Sequence, residues 1–186
     1  VPAGEGGMAA IIGGTLAQVQ EICAEAGKGS VLEIANDNGG GQIVISGKMD
    51  AIERAVDLAK EMKIKRALKL PVSAPFHSSL MQPAEEVMAE ALAKTDIAAP
   101  IVPIIANVTA DKETDADAIR TNLTRQITGR VRWRESVEAM AGMGIDTFVE
   151  IGASKVLSGL VRRIDSEVTS LSIGTPADIE NFLKNF

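Results

Sequence analysis

The chain has 186 residues, 46% hydrophobic but only 3% aromatic, with no Tyr and a formal net charge of -6. This suits one large or two small soluble domains whose core is Ala, Val, Ile, Leu and Met, and the negative balance argues against a general nucleic-acid surface. The single Cys excludes an intramolecular disulfide and a Cys-based metal site, and no stretch reaches the ~20 apolar residues of a membrane span. The start, Val-Pro-Ala-Gly-Glu-Gly-Gly, lacks both Met and a signal peptide's charged and apolar regions. A piece whose beginning lies elsewhere is expected, from a cytoplasmic, reducing setting.

Met8 to Ile12 is a short apolar run ended by Gly13 and Gly14, which predicts a strand. Leu16, Val19, Ile22, Cys23 and Ala26 recur at helical spacing up to Gly27 and Gly29. Val31 to Ala35 and Gln42 to Ser46 read as strands around Asn36-Asp37-Asn38-Gly39-Gly40-Gly41, a hairpin turn. Ile52, Ala55, Val56, Ala59 and Met62 mark a second helix, and Ala67 to Val72 a further strand. The order βαββαβ predicts a ferredoxin-like small subdomain over residues 7–72.

From residue 73 to residue 186 the pattern changes. Pro83 to Lys94 reads as a helix, and Ile101 to Val108 as a strand buried on both faces. Ile119, Leu123 and Ile127 mark a helix after Asp115, and Trp133, Val137 and Met140 another. Thr147 to Ile151 reads as a second buried strand, Val156 to Ile164 as a helix and Thr169 to Ile173 as a strand. Thr175-Pro176-Ala177-Asp178 opens a last helix with a cap and an early Pro. Alternating strands and helices imply parallel βαβ units. Three strands make a thin sheet, so further chain is expected to complete it. The fold class is therefore α/β.

The chemistry centres on the only histidine, His77, in the run Pro-Val-Ser-Ala-Pro-Phe-His-Ser-Ser-Leu-Met between an extended segment and a helix. Imidazole is the side chain best suited to moving protons near neutral pH. No Gly-x-Ser-x-Gly nucleophile elbow accompanies it, so the chain reads as an enzyme's base without its nucleophile. The plainer alternative is a buried histidine satisfied by a carbonyl. Ser78 and Ser79 adjoin His77 too closely to reach it with useful geometry. Cys23 lies on an apolar helix stripe and reads as core. Gly39-Gly40-Gly41 is not followed by a helix start, which argues against a phosphate cradle. No His, Cys and carboxylate spacing suggests a metal.

Val1 to Ile12, Asn36 to Gly47, Lys65 to Met81, Arg125-Gln126, Glu150-Ile151-Gly152 and Lys155-Val156-Leu157-Ser158-Gly159-Leu160 resemble, collinearly, the malonyl-CoA:acyl-carrier-protein transacylases of bacterial fatty-acid synthesis. The resemblance implies that residues 73–186 are the C-terminal part of an α/β-hydrolase-like parallel-sheet subdomain carrying the ferredoxin-like one as an insert. It implies malonyl transfer from coenzyme A to the acyl-carrier-protein thiol through a malonyl-serine ester, with malonyl-CoA as substrate and no cofactor. It places the family's Gly-His-Ser-Leu-Gly nucleophile loop, carboxylate-binding arginine and oxyanion glutamine upstream of residue 1. The missing N-terminal part of the same enzyme is thus an expected partner.

By the same resemblance His77 is the base, and Gln126 orients it through a backbone carbonyl. Phe76 would narrow the space beside the acyl α-carbon and favour malonyl over methylmalonyl units; packing in the core is the alternative. Asn36, Asn38 and Gln42 match amides facing the acyl-CoA cleft, although turn chemistry alone explains an Asn here. Lys65 and Arg66 match residues near the CoA phosphates, or are a solvated basic pair. Arg125, Arg130, Arg132 and Arg134, with Arg162 and Arg163, could steer an acidic carrier or simply favour helix ends. Two other readings remain open: a truncated, non-catalytic module that keeps only CoA or carrier-protein binding, and a polyketide-synthase acyltransferase domain. An upstream in-frame Gly-His-Ser-x-Gly segment separates the first from an enzyme, and the linker-free C-terminus at Phe186 favours a stand-alone enzyme over the second.

Overall fold

The structure is a computed structural model describing residues 4–185. These residues form two compact units, one ending at Ser136 and the other starting at Val137.

The first unit begins with β1 (Gly6–Ile12), α1 (Leu16–Ala26), β2 (Leu32–Asp37), β3 (Gln42–Lys48), α2 (Met49–Glu61) and β4 (Arg66–Lys69). Thr15 and Gln18 close a reciprocal capping box at the start of α1. The four strands form one antiparallel sheet in the order β2-β3-β1-β4, with Ala9 opposite both Ile45 and Lys69. That order and the two crossover helices make the βαββαβ segment ferredoxin-like.

Both helices cover one face, where Ala9, Ile11, Val19, Ile22, Ile43, Ile45, Ile52 and Ala55 form the main core. Met8, Ala35 and Val44 form a smaller cluster with Leu70 and Val72. Strand β2 runs to Asp37 rather than Ala35, with a register shift between Ile34 and Asn36. Asn36 and Asp37 therefore belong to the strand, and the turn narrows to Asn38–Gly41. Its three glycines all have positive φ, which side chains rarely tolerate. Strand β4 stops at Lys69, two residues before Pro71, which cannot donate to a ladder.

A 3-10 turn (Ser79–Met81) leads into α3 (Gln82–Ala93). The predicted strand Ile101 to Val108 reduces to β5 (Ile104–Ile105), paired antiparallel with β6 (Lys112–Glu113). Ile101 and Val102 are 103% and 69% exposed, so this run is not buried on both faces within the chain. Pro100 and Pro103 each remove a ladder donor, and hydrophobicity alone could not overcome that. Helix α4 (Ala116–Arg125) is capped by Asp115, whose carboxylate accepts from the Ala118 amide at 2.8 Å. It ends before Ile127, which falls in a turn. Helix α5 (Trp133–Gly142) follows.

In the second unit β7 (Thr147–Ile151) and β8 (Thr169–Ile173) pair in parallel, joined by α6 (Val156–Ile164), and α7 (Pro176–Asn185) closes the chain. This is the right composition for an α/β parallel-sheet unit. The expectation of three parallel strands is corrected, because β5 pairs antiparallel with β6. The expected burial of β7 is corrected too, because Ile151 is 81% exposed.

Candidate active site

His77 lies just before the 3-10 turn, half-buried, with φ of 57°. That left-handed backbone is uncommon for a non-glycine residue and persists only where the surroundings impose it. Both sides of His77 are tied down. Pro75 is buried, and the buried Ser78 Oγ–H donates to its carbonyl at 2.6 Å. Ser79 donates from its amide at 2.8 Å and from its hydroxyl at 2.7 Å to the Glu33 carboxylate on β2.

The imidazole meets the turn that follows α4. Its Nδ1 lies 2.8 Å from the Gln126 carbonyl oxygen and 3.1 Å from that of Gly129. Carbonyls only accept, so Nδ1 must carry the proton and donate. The neutral ring then keeps its lone pair on Nε2, which meets no hydrogen-bond partner among the described residues. Such a nitrogen can take a proton from a hydroxyl and later return it.

The carbonyl turn is itself fastened. Asn107 Nδ2–H donates to the Gln126 side-chain oxygen at 3.2 Å. Thr128 Oγ1–H donates to Glu85 on α3. A Cβ on Gly129 would sit 2.7 Å from the Arg125 carbonyl oxygen and 2.8 Å from a Val108 methyl, so only glycine fits without a shift. Val131 continues the edge of β2: its amide donates to the Ala35 carbonyl at 2.8 Å, and its carbonyl accepts from the Asp37 amide at 2.9 Å. Asp37 is buried and takes a hydrogen bond from Arg134 Nε at 2.9 Å.

The other sequence candidates divide into groups. Asn36 pairs with Val131 and so borders the carbonyl turn. Gln42 and Arg66 both lie opposite Ile12 at one end of the sheet, where Asn38 also donates its amide to the Gln42 carbonyl at 3.0 Å. Lys65 lies against Gly13 at that same end, and Lys65 and Arg66 are exposed. Phe76 is 44% exposed, so it is not a core residue of this chain. The arginine cluster is largely internal in its bonding. Arg130 and Arg132 both bind Glu135, Arg132 also donates to the Thr109 carbonyl at 2.8 Å, and Arg134 binds Asp37. The hydrogen bond from Arg132 holds the Glu135 carboxyl below its ordinary value.

Burial, aided by the negative charge of Glu33, pushes the Cys23 thiol up to about 12, which disfavours the thiolate that a nucleophile needs. Among the described residues no group of three His, Cys, Asp or Glu could hold a metal, and no helix is long and apolar enough to cross a membrane. Sequence reading missed Glu33 altogether, and missed the bond from Arg134 to Asp37 and the tight fit of Gly129, having read Arg134 only toward the carrier and Asp37 only as a turn residue. Their partners lie far away in the chain, and no local periodicity signals such contacts. The one usable sign was a carboxylate, Glu33, at an interior position of a predicted strand.

The family model described as "Acyl transferase domain" matches residues 2–175. The malonyl CoA-acyl carrier protein transacylase of Salmonella typhimurium is 45% identical over 177 residues, covering 95% of this chain and 57% of that protein. The crystal structure of the acyl-carrier-protein S-malonyltransferase from Bartonella henselae superposes with a TM-score of 0.96 at 51% identity, covering 100% of this chain and 59% of that one. A type II polyketide-synthase acyl-carrier protein in complex with its malonyl-transacylase also matches, with TM-score 0.96 and 38% identity, over 100% of this chain and 60% of that one. The chain thus spans well under two thirds of the relatives it matches. With the family model covering nearly the whole chain, this chain belongs to the acyl transferase domain family.

Proposed function

We propose that this chain supplies the base and part of the substrate cleft of an enzyme transferring malonyl from coenzyme A to an acyl-carrier-protein thiol. The observation that carries this is the His77 geometry: Nδ1–H is held by the Gln126 and Gly129 carbonyls while Nε2 is left to exchange protons. The names of the relatives supply the acyl group and the two thiols. The serine would come from a Gly-His-Ser-Leu-Gly segment, which no stretch of these 186 residues matches.

In the first half-reaction His77 Nε2 takes the serine proton as the oxygen attacks the malonyl thioester carbon. The C–S bond breaks, and the imidazolium returns the proton to the departing CoA thiolate. In the second half the carrier thiol gives its proton to Nε2 and attacks the malonyl ester. The serine oxygen then leaves with that proton. The carbonyls stabilise the transient imidazolium and fix the ring, the task an acid performs in a Ser-His-Asp triad. No metal or cofactor enters this scheme.

Residues 7–72 act as the ferredoxin-like insert, and residues 73–186 as part of the larger subdomain. Asn36, Asn38, Gln42, Lys65 and Arg66 share one end of the four-stranded sheet or border the carbonyl turn, which supports a role toward the CoA moiety. Phe76, exposed beside His77, supports a role in acyl selection. The setting is the cytoplasm. The test is intact-mass spectrometry of the full-length protein before and after malonyl-CoA. One added malonyl group, discharged by acyl carrier protein, is expected; no adduct would contradict the reading.

A further inference from the structure

We propose that Glu33 is a positioning residue for the His77 imidazole, a role that rests on the reading of His77 as the proton-transfer group. Strand β2 bonds the segments that follow the two sides of the His77 hydrogen bond, at Ser79 and at Val131. Near its start, the Glu33 carboxylate accepts from the Ser79 amide at 2.8 Å and the Ser79 hydroxyl at 2.7 Å, two positions after His77. At its far end, Ala35 and Asp37 bond Val131 on both sides, two positions after Gly129. The base and the carbonyls that orient it are thus referenced to the same strand.

The backbone makes this reference necessary. His77 has φ of 57°, and the loop around it is held on one side by Ser78 binding Pro75 and on the other by Glu33. Removing the carboxylate frees Ser79, and the strained His77 two positions before it can relax toward the ordinary α or β region. That rotation moves Nδ1 away from the Gln126 carbonyl. Both tautomers then become populated, and Nε2 no longer holds the lone pair in every molecule. A carboxylate is suited to this work because it accepts an N–H and an O–H at once with charge-assisted bonds. Small displacements of a reacting group reduce rate strongly, even from outside the site.

The experiment uses the full-length protein with Glu33→Ala, Glu33→Gln and His77→Asn. Glu33→Ala is expected to lower kcat about tenfold, with KM for malonyl-CoA little changed, and Glu33→Gln to recover most of the loss because its oxygen still accepts. The imidazole nitrogen-15 resonances of His77, assigned by their disappearance in His77→Asn, should show the Nδ1–H tautomer in the wild type and a mixture in Glu33→Ala. Unchanged kcat in Glu33→Ala overturns the proposal, as does lost kcat with an unaltered tautomer, which would mark Glu33 as structural only. Wild-type transfer by His77→Asn would instead remove the underlying reading of the base. If Glu33→Ala does not give a cooperative melt, Ser79→Ala carries the test. It deletes one of the two bonds and is expected to lower kcat about threefold with partial tautomer mixing; no change in either overturns the proposal.

Discussion

The Nδ1 of His77 stands 2.8 Å from the backbone carbonyl of Gln126, 49 positions further along the chain. A main-chain acceptor is insensitive to the identity of its own side chain but sensitive to the path of the backbone. Gln126→Ala is therefore expected to lower the transfer rate less than tenfold, since it removes only the Asn107 bond at 3.2 Å. Gly129→Ala should be the more damaging change, by about tenfold or more, because its Cβ would meet the Arg125 carbonyl at 2.7 Å. Steady-state kinetics of both variants checks the ranking. The reverse order would mean that the side chain, not the carbonyl, serves His77.

On the proposed reading, selectivity and affinity separate on different residues. Phe76→Ala is expected to raise kcat/KM for methylmalonyl-CoA relative to malonyl-CoA by roughly 10-fold or more, the scale of about one methyl group in a pocket. Lys65→Ala with Arg66→Ala should raise KM for malonyl-CoA and leave selectivity alone. Competition assays with both thioesters measure both effects. An unchanged ratio in the first variant, or an unchanged KM in the second, counts against the assigned role.

Much of the ferredoxin-like subdomain is legible in the sequence because each element carries its own stop. Gly27 and Gly29 end α1, and Gly39 to Gly41 turn β2 into β3. Residues 101–108 misled for a physical reason. Apolarity there resembles a buried strand, but Pro100 and Pro103 deny it donors, and Ile101 stays exposed. The contact between His77 and the Gln126 carbonyl was legible through a local run at His77 and a resemblance at Gln126. The hydrogen bonds from Ser79 to Glu33 and from Arg134 to Asp37 span 46 and 97 positions. Contacts of that range leave no period in one sequence.

Acid should loosen the turn below α4. Glu135 accepts first from Arg132 and is also near Arg130 and Arg134, so its folded carboxyl titrates below the ordinary 4.5. A depressed folded value stabilises the fold above 4.5, and that contribution disappears as pH falls through the folded value. Glu135→Gln is expected to be less stable than wild type at neutral pH and to lose less on acidification below 4.5. Urea midpoints across that range test it. Parallel acid profiles for the two proteins would show that the Arg132 pair is not coupled to folding.

The most direct measurement is single-turnover malonyl transfer by the full-length protein carrying His77→Asn, beside its melting temperature. Asn tolerates the positive φ that His77 adopts, so the fold is expected to survive while the base is lost. A fall of about a hundredfold or more in transfer rate, with the melting temperature within a few degrees of wild type, is the predicted result. A rate equal to wild type would contradict the assignment of His77 as the group that moves the proton.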